Sequence, residues 1–339
     1  MPNLFSRAMV AMLACLFSRT LLVMAGTETE RLYLSGHGKD DAVPWQFLCT
    51  SGAQSGSWTN LVVPSQWEMH GFGTLHYRKD PPEAWNEKGL YRHDFTVPAN
   101  WAGQRVFLVF DGVMTDTDAK LNAQSAGPVH QGGFYQFQYE VTKLVKFGET
   151  NQLEVTVAKH SANESVNRAE RDADYWVFGG IFRPVYLKAV PPQFIRRVAI
   201  DAQADGAFTM DVFTDGISQN DAGMTVAAQI TDMDGKPVGP VFSAPVSSSE
   251  GQAEVVLQTK VASPRDWSAE TPNLYRVQVW LKDGDRVLHH IQQQFGFRTM
   301  EVRDGDGLYV NGHRVILKGV CRHSFWPDSG RCLSEAVQK

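Results

Sequence analysis

Residues 307–330 have the sequence GLYVNGHRVILKGVCRHSFWPDSG, which is typical of a β-hairpin that leads into a barrel strand. The apolar run Leu308–Val310 precedes Asn311-Gly312, and this dipeptide favours a two-residue hairpin turn because both residues tolerate positive φ. We expect the second strand to cover Arg314–Cys321 and to end in Arg322-His323. A (β/α)₈ barrel presents its site residues in this way, at the C-terminal ends of apolar strands.

Only 16 residues follow His323, whereas a complete barrel of this kind takes about 250 residues. The sequence therefore predicts that residues 298–339 hold the first hairpin and strand of a truncated TIM-barrel catalytic domain.

The overall composition is that of a globular protein. A length of 339 residues suggests two or three domains, and 43% hydrophobic with 20% charged residues argues against disorder. The formal charge of −5 gives no basic surface for nucleic acid, so we expect no nucleic-acid partner. The 9 Trp, 9 Tyr and 19 Phe residues could contact sugar faces, or could fill the cores of large β-sandwiches.

The N-terminus resembles an export signal. The apolar run Ala8–Phe17 follows Arg7, and Val23–Ala25 supplies small residues for cleavage, so we expect a signal peptide over residues 1–25 and a secreted or periplasmic protein. Ser18–Thr20 interrupts the apolar stretch, which leaves a misassigned start codon as the alternative and excludes a membrane span.

The cysteines do not form a recognisable framework. Outside the signal they are Cys49, Cys321 and Cys332, an odd number at scattered spacing, which argues against a disulfide scaffold or a zinc site. Buried free thiols are the expectation, with a Cys321–Cys332 bridge as the alternative.

Residues 30–189 show short alternating runs separated by turn residues, which predicts an antiparallel β domain without a helix of useful length. The strands expected from this pattern are Leu90–Val97, Arg105–Phe110, Tyr139–Val145 and Gln152–Val157.

Pro191-Pro192 indicates a linker, because a proline pair cannot join a central strand ladder. A second β domain follows over residues 191–297, with hairpin turns at Asp234-Gly235 and Asp283-Gly284. Six or seven short strands in about 105 residues are typical of an immunoglobulin-like sandwich. The expected strands are Arg197–Ile200, Ala207–Phe213, Met224–Ile230, Ala253–Leu257, Tyr275–Leu281 and Val287–Gln293.

The segment Glu164–Arg183 is the strongest candidate for a site in the first domain. Charged residues crowd its first part and are followed at once by Trp176, Gly179-Gly180 and Arg183. A solvated loop explains the charges, whereas an acidic side chain beside a Trp would also suit a sugar. By themselves, Trp67–Phe72 and Gly112–Gly133 are better explained by packing and by a sandwich loop, and an isolated His323 by a histidine at a strand end.

In their order and spacing, these segments together resemble glycoside hydrolase family 2, the β-galactosidase, β-glucuronidase and β-mannosidase group, over residues 31–330. The segments that carry the resemblance are Lys88–Pro98, Val106–Val113, Gly132–Phe134, Gly179–Val185, Pro272–Tyr275, Phe295–Arg298 and Asn311–His323.

The resemblance implies a mainly β chain: a jelly-roll sugar-binding domain, an immunoglobulin-like sandwich and the start of a TIM barrel. It also implies retaining hydrolysis by two glutamates about 5 Å apart, both supplied by later barrel strands. Asp328 and Glu335 are the carboxylates after His323 and do not lie where such strands would present them, so no catalytic residue is assigned in this chain.

Two substrate-binding positions, Asp174 and His323, follow from the resemblance. Asp174 matches an aspartate that contacts a sugar hydroxyl and a sodium ion, and His323 matches a histidine that lines the sugar subsite; with Trp176 and Arg322 they form the predicted substrate-binding set. The chain departs from the family at Lys79, Ala123 and Ser324, where an asparagine, a glycine and a glutamate are expected, which leaves the sugar and the metal requirement open.

The leading hypothesis is the N-terminal part of a secreted β-glycosidase, most like a β-galactosidase, that binds a β-galactoside or related glycan and is inactive as this fragment. We expect no required cofactor, with sodium or magnesium as options in the full-length enzyme, and a homo-oligomer as an option there. The alternatives are a stand-alone carbohydrate-binding module, a β-glucuronidase or β-mannosidase, and an adhesive β-sandwich protein.

Overall fold

The computed structural model describes residues 27–78, 84–172, 174–218, 223–247 and 251–339. The predicted signal peptide and Lys79 lie outside these residues. The described chain is mainly β, as the sequence predicts.

The first sandwich packs a four-stranded sheet against a six-stranded one, with antiparallel pairing throughout. The four-stranded sheet has the order β1 (Glu30–Tyr33), β14 (Val185–Val190), β6 (Arg105–Phe110) and β10 (Phe137–Glu140). The six-stranded sheet has the order β3 (Thr59–Val63), β2 (Val43–Cys49), β5 (Lys88–Thr96), β11 (Thr150–Ala158), β8 (Asp116–Leu121) and β9 (Gln124–Ser125).

Two short ribbons and several helical turns complete this sandwich. The ribbons are β4 (His76–Tyr77) with β12 (Trp176–Val177), and β7 (Val113–Met114) with β13 (Gly180–Ile181). The helix α1 covers Glu164–Glu170, and single 3₁₀ turns cover Lys39–Asp41, Trp67–His70 and Ala99–Trp101.

The core of the first sandwich lies between its two large sheets. Alternate residues of β11 are buried, and the strand β6, which is buried at every position from Val106 to Phe110, has the continuous apolar pattern that the sequence predicted. Trp45, Phe47 and Trp67 are among the large side chains in this core.

The second sandwich has seven strands in sheets of three and four, which confirms the immunoglobulin-like prediction. One sheet has the order β15 (Phe194–Ala202), β16 (Ala207–Asp215) and β19 (Gln252–Lys260). The other has the order β18 (Phe242–Pro245), β17 (Met224–Thr231), β20 (Tyr275–Asp283) and β21 (Arg286–Phe295). Their inner faces bury one continuous apolar cluster between Ile195 and Phe297.

The C-terminal region has a three-stranded sheet and one helical turn. The sheet order is β22 (Met300–Arg303), β23 (Gly307–Val310) and β24 (His313–Val315), and α2 covers Glu335–Gln338. Val310 pairs with His313 across Asn311-Gly312, both at positive φ, so the predicted two-residue hairpin turn is confirmed.

The predicted continuation of the second hairpin strand to Cys321 is wrong. The strand β24 ends at Val315, and the following segment has no regular pairing within the described chain. Ile316, Leu317 and Val320 are 70%, 81% and 92% exposed. A strand needs a partner for its backbone groups, and β24 pairs with β23 alone in the described part of the protein.

The helix α1 is seven residues long and begins at the N-cap Asn163, which is consistent with the expectation of no helix of useful length in this region. Two smaller predictions need correction. The strand predicted at Tyr139–Val145 ends at Glu140, because Val141 instead accepts turn bonds from Leu144 and Val145. Cys321 is exposed, although Cys49 and Cys332 are buried, and all three are free thiols.

The turn between β8 and β9 explains why a glycine was expected at Ala123. Leu121 pairs with Gln124, so Asn122 and Ala123 are the two turn residues, at φ of 53° and 64°. Asn tolerates this left-handed region, whereas Ala adopts it at a steric cost.

Candidate carbohydrate-binding site

Asp174 is held at the surface by the ribbon of β4 and β12. Trp176 lies opposite Tyr77 in this ribbon, with their rings in edge contact at 5.4 Å between centroids. The hydroxyl of Tyr77 and Nε of Arg78 both donate to Asp174 Oδ1, at 2.6 and 2.9 Å. Pairing of the two short strands therefore places a carboxylate beside an exposed indole.

The surroundings of Asp174 favour its charged form. The hydrogen bond from Tyr77 lowers the pKa of Asp174 most, Arg78 adds to this, and His323 contributes the smallest share. The other carboxylate oxygen, Oδ2, accepts no hydrogen bond from the described residues, so it can accept one from a sugar hydroxyl.

Arg322 and His323 lie on the same face, because the segment after them packs back onto the first sandwich. The backbone N–H of Arg331 donates to Gln66 Oε1 at 2.7 Å. Gly330 suits this position, since its φ of 57° favours glycine and a Cβ there would lie 1.9 Å from the same oxygen. The thiol of Cys332 reaches the carbonyl of Pro64 at 3.4 Å.

This packing closes a cleft of about 430 Å³ between the two regions. The guanidinium of Arg331 lies over the rings of Phe134 and Tyr175, at 5.1 and 4.7 Å from their centroids. Arg322 and His323, both exposed, line the opposite side of the cleft.

A buried charged cluster supports the loop that follows Trp176. Lys159 is fully buried, with Nζ 3.0 Å from Glu68 Oε1 and 3.6 Å from Glu87 Oε1. Glu68 accepts the backbone N–H of Gly179, at 2.9 Å on Oε1 and 3.1 Å on Oε2. Burial raises the pKa of Glu68 to about 7, although Lys159 opposes the shift.

The same loop depends on Trp67. Its indole donates to Glu87 Oε1 at 2.8 Å, and a Cβ at Gly179 would lie 2.1 Å from the Trp67 ring. Trp67 is buried in the core, as the packing interpretation of Trp67–Phe72 predicts. Its neighbour Glu68 also supports the candidate site, a role that the sequence did not indicate.

Asp174 and Trp176 flank Tyr175, which lines the cleft together with Arg322 and His323, and His323 lies close enough to lower the pKa of Asp174. The role of these four predicted substrate-binding residues stays a prediction. The sequence did not indicate that Tyr77 and Arg78 bind Asp174, or that Arg331 lines the cleft. Tyr77-Arg78 could have been found as a polar and aromatic pair close to Trp67–Phe72, whereas Arg331 depends on a distant contact and leaves no local signal.

Asp174 already has a positively charged partner among the described residues. Arg78 already supplies a positive charge at 2.9 Å from Asp174 Oδ1. Within the described ranges, no group of three His, Cys, Asp or Glu side chains is placed to hold a metal ion. The sodium ion expected at Asp174 stays a prediction, and no function is derived from it.

Comparison with known proteins identifies the family. The family model described as glycosyl hydrolases family 2, sugar binding domain, matches residues 50–191, and the model described as glycosyl hydrolases family 2 matches residues 193–298. The β-galactosidase of Psychromonas ingrahamii is 30% identical over 315 residues, 87% of this chain and 30% of that protein. The β-galactosidase of Pseudoalteromonas haloplanktis is 32% identical over 300 residues, 83% of this chain and 28% of that protein.

Solved structures have the same fold. A β-glucuronidase from Bacteroides uniformis superposes with a TM-score of 0.71 at 21% identity, over 91% of this chain and 37% of that chain. The chain spans about 30% of the length of the curated relatives described above.

None of the helices in the described ranges has the length and apolar character needed to cross a membrane.

Proposed function

Because the chain belongs to glycosyl hydrolases family 2, we propose that it forms the N-terminal part of a retaining β-glycosidase that hydrolyses β-galactosides. The observation that carries the proposal is the exposed, ionised Asp174 beside Trp176, on the same face as His323. The similarity to β-galactosidases at about 30% identity supports the choice of sugar.

In this proposal the chain binds and orients the sugar. Asp174 Oδ2 accepts a sugar hydroxyl, Trp176 packs against a C–H face of the ring, and Arg322 and His323 offer donors from the cleft that Tyr175 also lines. The glutamates that act as acid/base and nucleophile are supplied from outside these 339 residues. The fragment alone is therefore expected to be inactive.

A β-glucuronidase is the second candidate, because three arginines line the cleft. Arg183, Arg322 and Arg331 could pair with the carboxylate of a uronic acid, which a galactoside lacks. The likeness to solved β-glucuronidases bears on the fold and does not decide between the sugars.

Expression of the complete open reading frame tests both candidates. We expect release of nitrophenol from the aryl β-D-galactoside and little from the glucuronide or mannoside. Preference for the glucuronide would establish the second candidate, and a frame with both glutamates that cleaves none of the three would reject the proposal.

The substitution Asp174→Asn tests the site in that protein. Loss of a charge-assisted hydrogen bond should raise KM for the galactoside about 10- to 100-fold with a smaller change in kcat. Asp205→Asn is the matched control, because Asp205 forms a similar exposed ion pair with Lys260 in the second sandwich. Equal KM values for the two variants would remove Asp174 from the binding site.

We also propose export to the periplasm or the medium, on the basis of residues 1–25 alone. N-terminal sequencing of the protein recovered from those fractions should give a start near Gly26. An intact Met1 terminus recovered from the cytoplasm would reject this part of the proposal.

A further inference from the structure

A second groove, separate from the candidate site, lies on the outer face of the six-stranded sheet and encloses about 540 Å³. Its floor is formed by outward side chains of β5, β11 and β8. Lys88, Ala158 and Asp116 form one row across these strands, and Thr156 and Asp118 belong to the next. The small side chains of the central strand leave room above the floor, whereas further along the same strand Glu154 pairs with Arg92 and fills that space.

The walls of the groove combine an indole with one face of α1. Trp85, which is 46% exposed, lies beside His160 with 5.9 Å between the ring centroids. Glu164, Asn167 and Arg168 line the other side. An exposed tryptophan at the rim of a groove of this size is typical of a ligand site, since such sites enclose roughly 300–1,000 Å³.

Asp116 on the floor has unused hydrogen-bonding capacity. Its Oδ2 accepts bonds from Gln131 Nε2 at 3.2 Å and from the backbone N–H of Ala162 at 2.8 Å. Asp116 is only 7% exposed, and its Oδ1 has no hydrogen-bond partner among the described residues. A buried carboxylate oxygen without a donor is unusual in a folded protein, and a ligand hydroxyl would provide one.

The charges in the groove favour a neutral ligand rich in hydroxyl groups. Among the described residues, four carboxylates and three cations line the groove, so its negative and positive charges nearly balance. The carboxylates belong to Asp116, Asp118, Glu164 and Asp172, and the cations to Lys88, Arg168 and Arg171. A phosphate or uronate would meet the carboxylates, whereas neutral hydroxyl groups can use both donors and acceptors.

The helix α1 separates this groove from the candidate site. Glu164, Asn167 and Arg168 line the groove, whereas Ala169 and the following Tyr175 line the cleft that contains His323. The helix α1 therefore contributes residues to both sites, and among the described residues the two sites have no lining residue in common.

We propose that the groove between Trp85, Asp116 and α1 is a non-catalytic binding site for a neutral oligosaccharide. This proposal goes beyond the hydrolytic function, because it requires binding and no bond cleavage. Trp85 packs against a sugar ring, and the carboxylates of Asp116 and Asp118 accept its hydroxyl hydrogens.

Calorimetric titration of the chain with β-1,4-galactotriose, cellotriose and, as an anionic probe, glucuronic acid tests the proposal. We expect a neutral trisaccharide to bind with a millimolar or lower Kd, and Trp85→Ala to weaken binding at least tenfold. Trp58→Ala is the matched control, since Trp58 is 43% exposed on the same sandwich and lies over Arg92, outside the groove. Asp118→Ala changes a groove residue without removing a large side chain and should also weaken binding about tenfold.

The outcomes separate this proposal from the hydrolytic one. Absence of binding by both trisaccharides, or equal affinity of the wild type and the Trp85→Ala and Asp118→Ala variants, would overturn it. Binding that disappears with Asp174→Asn and persists with Trp85→Ala would assign the sugar to the candidate site and would likewise overturn it. Loss of galactoside hydrolysis in the full-length protein does not bear on the groove.

Discussion

The two sandwiches place their charged side chains differently. In the first, Lys159, Glu68 and Glu87 are fully buried and contact one another behind the loop of the candidate site. In the second, the pair Lys260–Asp205 is at the surface, with both side chains more than 60% exposed, and the core cluster is apolar. A buried ion pair contributes little net stability because desolvation offsets the attraction. Here Glu68 also accepts the backbone N–H of Gly179, which connects the pair to that loop.

The largest expected effect comes from removing the buried cation. Lys159→Met leaves two carboxylates inside the protein without their partner, and should lower the free energy of unfolding of the first sandwich by about 3–5 kcal/mol. Denaturant unfolding measures this change. The same substitution at Lys260 should cost less than about 1 kcal/mol, because an exposed pair is screened by water. Similar costs at both lysines would contradict the contrast between the sandwiches.

The second sandwich should instead respond to acid through His289. Its Nδ1 accepts the backbone N–H of Ile195 at 3.0 Å, so the neutral ring donates from Nε2 to Thr29 Oγ1 at 3.1 Å. Burial lowers the pKa of His289 to about 4, below its value of 6.5 in an unfolded chain. The stabilising contribution is therefore complete above pH 6.5 and is lost as the pH falls through about 4.

We expect this loss to reach about 3 kcal/mol in the free energy of unfolding of the second sandwich. Native-state hydrogen exchange of the β15 and β21 amides, extrapolated at several pH values, measures it. His289→Gln should abolish the dependence between pH 6.5 and 4. A His289→Gln variant with the slope of the wild type would show that other groups cause the acid sensitivity.

Apart from the control at Lys260, the smallest effect is expected in the C-terminal hairpin. Asn311 donates from Nδ2 to Asp266 Oδ2 at 2.7 Å and to the carbonyl of Trp267 at 3.0 Å, and its own φ is 52°. Asn311→Ala loses these bonds and strains the turn, which should cost about 1–2 kcal/mol and speed exchange of the β23 and β24 amides. His313→Ala, at an exposed hairpin position, is the control. Equal exchange in both variants would show that Asn311 does not hold the hairpin.

Local pattern was sufficient where a segment determines its own conformation. The strand Arg105–Phe110 and the turn Asn311-Gly312 form as predicted. Adjacent residues determine both, through a continuous apolar run in the strand and through tolerance of positive φ in the turn. The strand predicted to reach Cys321 failed, since apolar residues alone do not form a strand where the described chain offers no partner.

The candidate site was predictable only in part, for a related reason. The order of acidic and aromatic residues indicated the segment that contains Trp176, and the resemblance to a family indicated Asp174 and His323. The buried position of Lys159 could not be foreseen, because a lysine in a polar stretch is normally solvated. Its partners Glu68 and Glu87 are 91 and 72 positions earlier in the sequence.

The contact between Gln66 and Arg331 also has a consequence for synthesis on the ribosome. These residues are 265 positions apart. At typical elongation rates of 5–20 residues per second, Arg331 is therefore added roughly 13–53 seconds after Gln66. Met114, Phe178 and Phe182 are synthesised within that interval, and from then until Cys332 is added they lack the cover that Cys332 gives them in the finished chain. Nascent chains should therefore offer a chaperone an apolar surface beside the candidate site until this contact forms.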